Sequence, residues 1–144
     1  MGAVNGVSAE LATSVTRTSV ASSPITAAKA GAAKLLAGLL DVSWDPAGEP
    51  FKAVYVNDTL TVDFARREQF ESHHYCFHVG DDDFDAIFGR IEARGIAYRS
   101  RPRGENDMQI NTRLGGRNLY WQDDDGHLWE ILTISYARPA RTLA

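Results

Sequence analysis

Phe84, Ile87, Phe88 and Ile91 recur at i, i+3, i+4 and i+7, the spacing of one apolar helix face. Three aspartates precede them, where the helix macrodipole favours negative charge, and Gly95 follows as a stop. Just upstream, residues 73–79 (HHYCFHV) read as a strand. Downstream, 96–100 is a further strand, 102–107 a polar loop and 108–112 a short edge segment. Gly115-Gly116 then turns the chain into a strand at 117–122, and Asp125-Gly126 turns it into another at 127–134, so the last two form a hairpin.

The first half carries a looser copy of this order. Residues 17–21 (RTSVA) are partly β-branched and read as a strand. Ser23-Pro24 is a helix-entry signal, with Thr26 as a competing N-cap. Ala28, Ala32, Leu35, Leu36, Leu39 and Leu40 then outline an apolar helix face. Asp45-Pro46-Ala47-Gly48 ends the unit. The runs 51–56 and 60–64, joined through Asn57-Asp58-Thr59, predict a hairpin, and 65–72 is a polar connector. DTLTVDFA (58–65) lies over DGHLWEIL (125–132), which sets Asp63 opposite Glu130. A strand–helix–strands order given twice reads as two copies of one supersecondary unit. The expected layout is an arm at 1–16, one domain at 17–135 (modules at about 17–66 and 73–135), and a tail at 136–144.

Composition narrows the classes. At 144 residues with 44% hydrophobic content, the chain suits a single domain with its own core. A net charge of −4 argues against nucleic acid as a partner. Arg101, Arg103, Arg113 and Arg117 gather around one loop, either as a solvated surface or as a receiver for an anionic ligand group. Cys76, the one cysteine, lies in an apolar strand pattern and is expected to be a buried structural thiol. No apolar run approaches a membrane span and no signal peptide is evident, so a cytoplasmic protein without a membrane partner is the expectation.

Several stretches together resemble the vicinal oxygen chelate superfamily, which includes glyoxalase I, extradiol dioxygenases, and fosfomycin- and bleomycin-resistance proteins. They are His74-Tyr75-Cys76-Phe77, Phe84-Asp85-Ala86-Ile87, Leu119 to His127 (LYWQDDDGH), and Leu128-Trp129-Glu130. Asp124 stands where the family's turn has proline. The resemblance covers roughly residues 35–133 and is specific in the second half. It implies an α+β fold of two βαβββ modules whose mixed sheets form a half-open cup, and commonly a homodimer. It also implies metal ligands on the first and last strands of each module. His74 and Glu130 match the second module's ligands, and Asp63 matches the end of the first. Aligning the helix ends, Gly95 with Asp41, puts Val20 opposite His74. All four histidines, His73, His74, His78 and His127, lie in the second half, so the family's first-strand histidine is absent.

Strand geometry keeps the other histidines from replacing it. His78 shares a face with His74 but sits about 13 Å along the strand. His73 points to the opposite face from His74, and His127 faces away from Glu130 by parity. Beside a scaffold or interaction protein with a decayed site, two functions follow. One is catalysis on a small oxygen-rich substrate by a divalent metal (Fe, Mn, Ni or Zn) on His74, Glu130 and Asp63, as a lyase, isomerase or dioxygenase. There Glu130 and Tyr120 are the catalytic candidates, Tyr120 as proton donor or orienter. The other is metal-free sequestration of a small molecule in a groove lined by Tyr120, Trp121, Trp129 and Phe77, as in the bleomycin-resistance branch.

Overall fold

Both copies of the repeat fold in the order that the residue pattern implies, but the strand expected at 96–100 shortens to Tyr98–Arg99 and the edge segment expected at 108–112 to a single bridge at Asn111. The computed structural model describes residues 16–22 and 28–135. Its elements run β1 (Thr16–Ser22), α1 (Ala28–Leu40), β2 (Phe51–Asn57), β3 (Leu60–Arg66), β4 (His74–His78), α2 (Asp81–Ala93), β5 (Tyr98–Arg99), β6 (Asn118–Gln122) and β7 (Leu128–Leu132). The expected arm before Thr16, the helix-entry signals Ser23, Pro24 and Thr26, and the expected tail at 136–144 lie outside the described residues.

Two sheets form, in the orders β1-β3-β2 and β4-β7-β6-β5. In each, the first strand runs parallel to the last, and the last runs antiparallel to the strand before it. A bridge between Trp44 and Val54, flanked by the Asp45 and Tyr55 amides bonding to Ala53 and Ser43 carbonyls, gives the first sheet the edge that β5 gives the second. The architecture is therefore α+β, two βαβββ units.

The modules meet through their helices and aromatic cores. Helix α1 buries Ala33, Leu36, Ala37, Leu39 and Leu40, and α2 buries Phe84, Ile87 and Ile91. Arg90 of α2 donates to the Leu39 carbonyl at 3.1 Å and pairs with the Asp41 carboxylate at 3.3 Å, so it serves one orphan carbonyl at the end of α1. At the other end of α2, Arg117 bonds the Asp81 and Asp85 carboxylates and lies 4.4 Å over the Phe84 ring. Trp129 anchors the centre of the core. Its ring stacks on Tyr75 at 4.7 Å, Phe77 at 6.1 Å, Phe64 at 6.2 Å and Trp121 at 6.5 Å.

The ladders correct one sequence alignment. Ser19 pairs with Asp63 in the first module, as Cys76 pairs with Glu130 in the second. His74 is two residues before Cys76, so its counterpart is Arg17, two residues before Ser19, and not Val20. Val20 instead pairs with Phe64 and is fully buried in the core. The helix-end alignment failed because five residues separate β1 from α1, whereas two separate β4 from α2. The first-strand position still holds no histidine.

Candidate functional site

Strand alternation sorts the second module's side chains. Tyr75, Phe77, Trp121 and Trp129 face the core; His74, Cys76, His78, Asn118, Tyr120 and Glu130 face the other way. Arg99, Tyr120, Glu130 and Cys76 stand in register on β5, β6, β7 and β4, forming one row across the sheet. Glu130 is fully buried at its centre.

A buried carboxylate is stable only when its oxygens are satisfied. Here His74 Nε2 lies 2.9 Å from Glu130 Oε2, the imidazole being 40% exposed. Asn118 Nδ2 donates to Glu130 Oε1 at 3.0 Å and to Tyr120 Oη at 2.9 Å. The Cys76 thiol also bonds Glu130; desolvation first, and then the adjacent carboxylate, push it far above the ordinary thiol range. Cys76 is exposed on this face, which corrects the expectation of a buried structural thiol. Its parity with His74 was the signal for that. Asn118 was also missed: parity puts it on the face of Tyr120, but its reach to Glu130 depends on the β6–β7 register.

The DDDGH turn is architectural. Asp123 Oδ1 accepts the amides of Asp125 (3.0 Å) and His127 (2.9 Å), and Oδ2 accepts Trp129 Nε1 (2.9 Å). Burial pushes the Asp123 pKa up despite these bonds. Gly126 adopts φ +85°, the left-handed region open to glycine. His127 is fully buried, stacks on Phe70 at 5.5 Å, and accepts the His73 amide on Nδ1 at 3.0 Å. It thus fixes the backbone beside His74. Asp123→Ala leaves three donors unpaired and is expected to lower unfolding free energy by about 2–3 kcal/mol, measured by urea denaturation.

Asp63 is buried on β3, in register with Ser19 and Ala53. The alternation that turns Phe64 toward Trp129 turns Asp63 to its sheet's other face, as Glu130 is turned on β7. Among the described residues no group of three or more His, Cys, Asp or Glu side chains is placed to hold a metal ion. The structure therefore brings His74, Glu130 and Tyr120 together and leaves Asp63 apart. His78 lies at the far end of β4, its Nε2 3.0 Å from the Thr133 carbonyl oxygen. Trp121, Trp129 and Phe77 belong to the core, so of the aromatic lining expected for a sequestering groove only Tyr120 remains on this face.

Paired βαβββ modules, with an imidazole and a carboxylate on the first and last strands of one sheet, define a class of cup-forming proteins. The chain belongs to one such family, the vicinal oxygen chelate superfamily. It is 35% identical to the oxidase ChaP-H2, over 88% of this chain and 97% of that one, with a TM-score of 0.76. Against the oxidase ChaP-H1 it is 37% identical, over 88% of this chain and 100% of the other, again at 0.76. It is also 36% identical over 76 residues to the fosfomycin resistance protein FosX of Mesorhizobium japonicum (strain LMG 29417 / CECT 9101 / MAFF 303099), 49% of each chain; it spans about half the length of that curated relative. No family model matches the sequence. No helix among the described residues is long and apolar enough to cross a membrane.

Proposed function

We propose that this protein is a divalent-metal-dependent enzyme of the dioxygenase, isomerase or lyase kind, acting on a small oxygen-rich substrate at the His74–Glu130 face. The observation that carries this reading is Glu130, a fully buried carboxylate steadied by Asn118 and Cys76 and aimed at an accessible histidine. The names of the similar proteins, two oxidases and a fosfomycin resistance protein, accord with it. The sequestering alternative loses its main support with the aromatics packed in the core.

The donors fit a metal in part. His74 Nε2 and Glu130 Oε2 supply one imidazole and one carboxylate on the same face, suited to Fe, Mn, Ni or Zn. Asp63 completes the set when its face, from a second copy of the chain, covers this one in a homodimer. When bound, the ion supplies Lewis-acid stabilisation of negative charge on vicinal substrate oxygens. The chain's own residues do the rest. Asn118 holds Glu130 and Tyr120 in fixed relation, and the Tyr120 hydroxyl orients a substrate oxygen or delivers a proton to it.

The pairing of His74 with Glu130 has a measurable consequence. His74→Ala is expected to weaken Mn(II) binding at least tenfold, read by titration of the folded variant against the wild type. A His74→Ala variant with wild-type affinity would remove this donor from the site.

A further inference from the structure

Beside the His74–Glu130 pair lies a cleft of about 740 Å³, lined by His73, His74, Arg99, Arg101, Arg103 and Gln122 among others, and by no Asp or Glu. On a chain of net charge −4, three guanidinium groups along one acid-free cleft are a local reversal of sign. Such a placement concentrates anions.

The loop presenting them is stapled to itself. Arg99 donates from Nε to the Arg101 carbonyl (3.2 Å), from Nη2 to the Pro102 carbonyl (3.2 Å), and from Nη1 to Asn106 Oδ1 (3.4 Å). Asp107 accepts the amides of Ser100 (2.9 Å) and Gln109 (3.1 Å), together with the Ser100 hydroxyl. The Ser100 hydroxyl bond is the chief cause holding the Asp107 carboxyl below the usual carboxylate range. Met108 returns its amide to the Tyr98 carbonyl at 3.0 Å. Arg99 thus spends its donors on folding the loop. Among the described residues the Arg101 and Arg103 guanidinium groups take part in no hydrogen bond or ion pair, Arg101 meeting only the more distant charge of Asp107. The other loop arginines differ. Arg117 is tied to α2, and Arg113 does not line the cleft.

We propose that this cleft receives an oxyanion group of the substrate, a carboxylate, phosphonate or phosphate, with Arg101 and Arg103 as its donors. His74 lines both the cleft and the candidate metal face. An anion seated on the two arginines would therefore carry its neighbouring oxygens toward His74 and Glu130. This deepens the functional reading above by giving the substrate a charged end, and makes Arg101 and Arg103 specificity determinants.

The test uses metal-free protein, so its outcome is separable from that of the metal site. Inorganic phosphate and benzoate are titrated at constant ionic strength by calorimetry, into the wild type, Arg101→Ala/Arg103→Ala and Arg113→Ala. Circular dichroism confirms that each variant is folded. Saturable binding of at least one anion is expected, weakened about tenfold or more in the double variant and unchanged in Arg113→Ala. Phosphate alone binding would assign a phosphate or phosphonate group, and benzoate alone a carboxylate. No saturable binding of either anion, or equal affinity in the wild type and the double variant, would overturn the proposal even if metal binding is intact.

Discussion

Glu130→Gln is expected to abolish useful affinity for divalent metal, with at least a 100-fold rise in the Mn(II) dissociation constant while the chain stays folded. Glutamine keeps the shape, and its carbonyl still accepts from Asn118. It removes the anionic donor and turns an amide N–H₂ toward His74 or Cys76. Asn118→Ala makes a useful companion. It leaves both candidate ligands in place but frees Glu130 to rotate, so a smaller loss of roughly 10–100-fold is expected. Manganese titration followed by electron paramagnetic resonance reads both. Unchanged binding in the Glu130→Gln protein would sink the proposed site.

The largest expected loss of stability belongs to Trp129→Ala. Trp129 stacks on Tyr75, Phe77, Phe64 and Trp121 and donates its indole N–H to Asp123. Truncation opens a cavity where the two modules meet and leaves a half-buried Asp123 carboxylate oxygen without its donor. A cost of about 3–5 kcal/mol is expected, a large share of the about 5–15 kcal/mol that stabilises a typical domain. Urea denaturation measures it. A loss below about 1 kcal/mol would mean that the stack is not the core of this fold.

Much of this fold was legible because period and turn chemistry agree. The α2 stripe, the Asp125-Gly126 hairpin and the double strand–helix–strands order each follow from local rules, and each appears. Less legible was the depth of each strand face. Cys76 sits among aromatic residues in sequence, yet alternation puts it on the His74 face. Trp121 and Trp129 could line a groove or fill a core, and sequence period alone does not separate the two. The Val20 alignment failed because a three-residue difference between strand and helix leaves no mark on helical periodicity. Asn118 was hidden for another reason: its role depends on cross-strand register with Glu130, which is a tertiary property.

The same contrast holds for the site. His74 and Glu130 were visible through the family motif, and the structure shows them hydrogen-bonded at 2.9 Å. Asp63 was visible through the internal repeat. That repeat says which residues occupy equivalent positions, but not whether the two modules of one chain face each other.

The most direct measurement is the metal stoichiometry of chelator-stripped wild-type protein, titrated in turn with Fe(II), Mn(II), Ni(II) and Zn(II). Saturation near one ion per chain by at least one metal is the expected result. A folded protein that takes up none of the four would contradict the account.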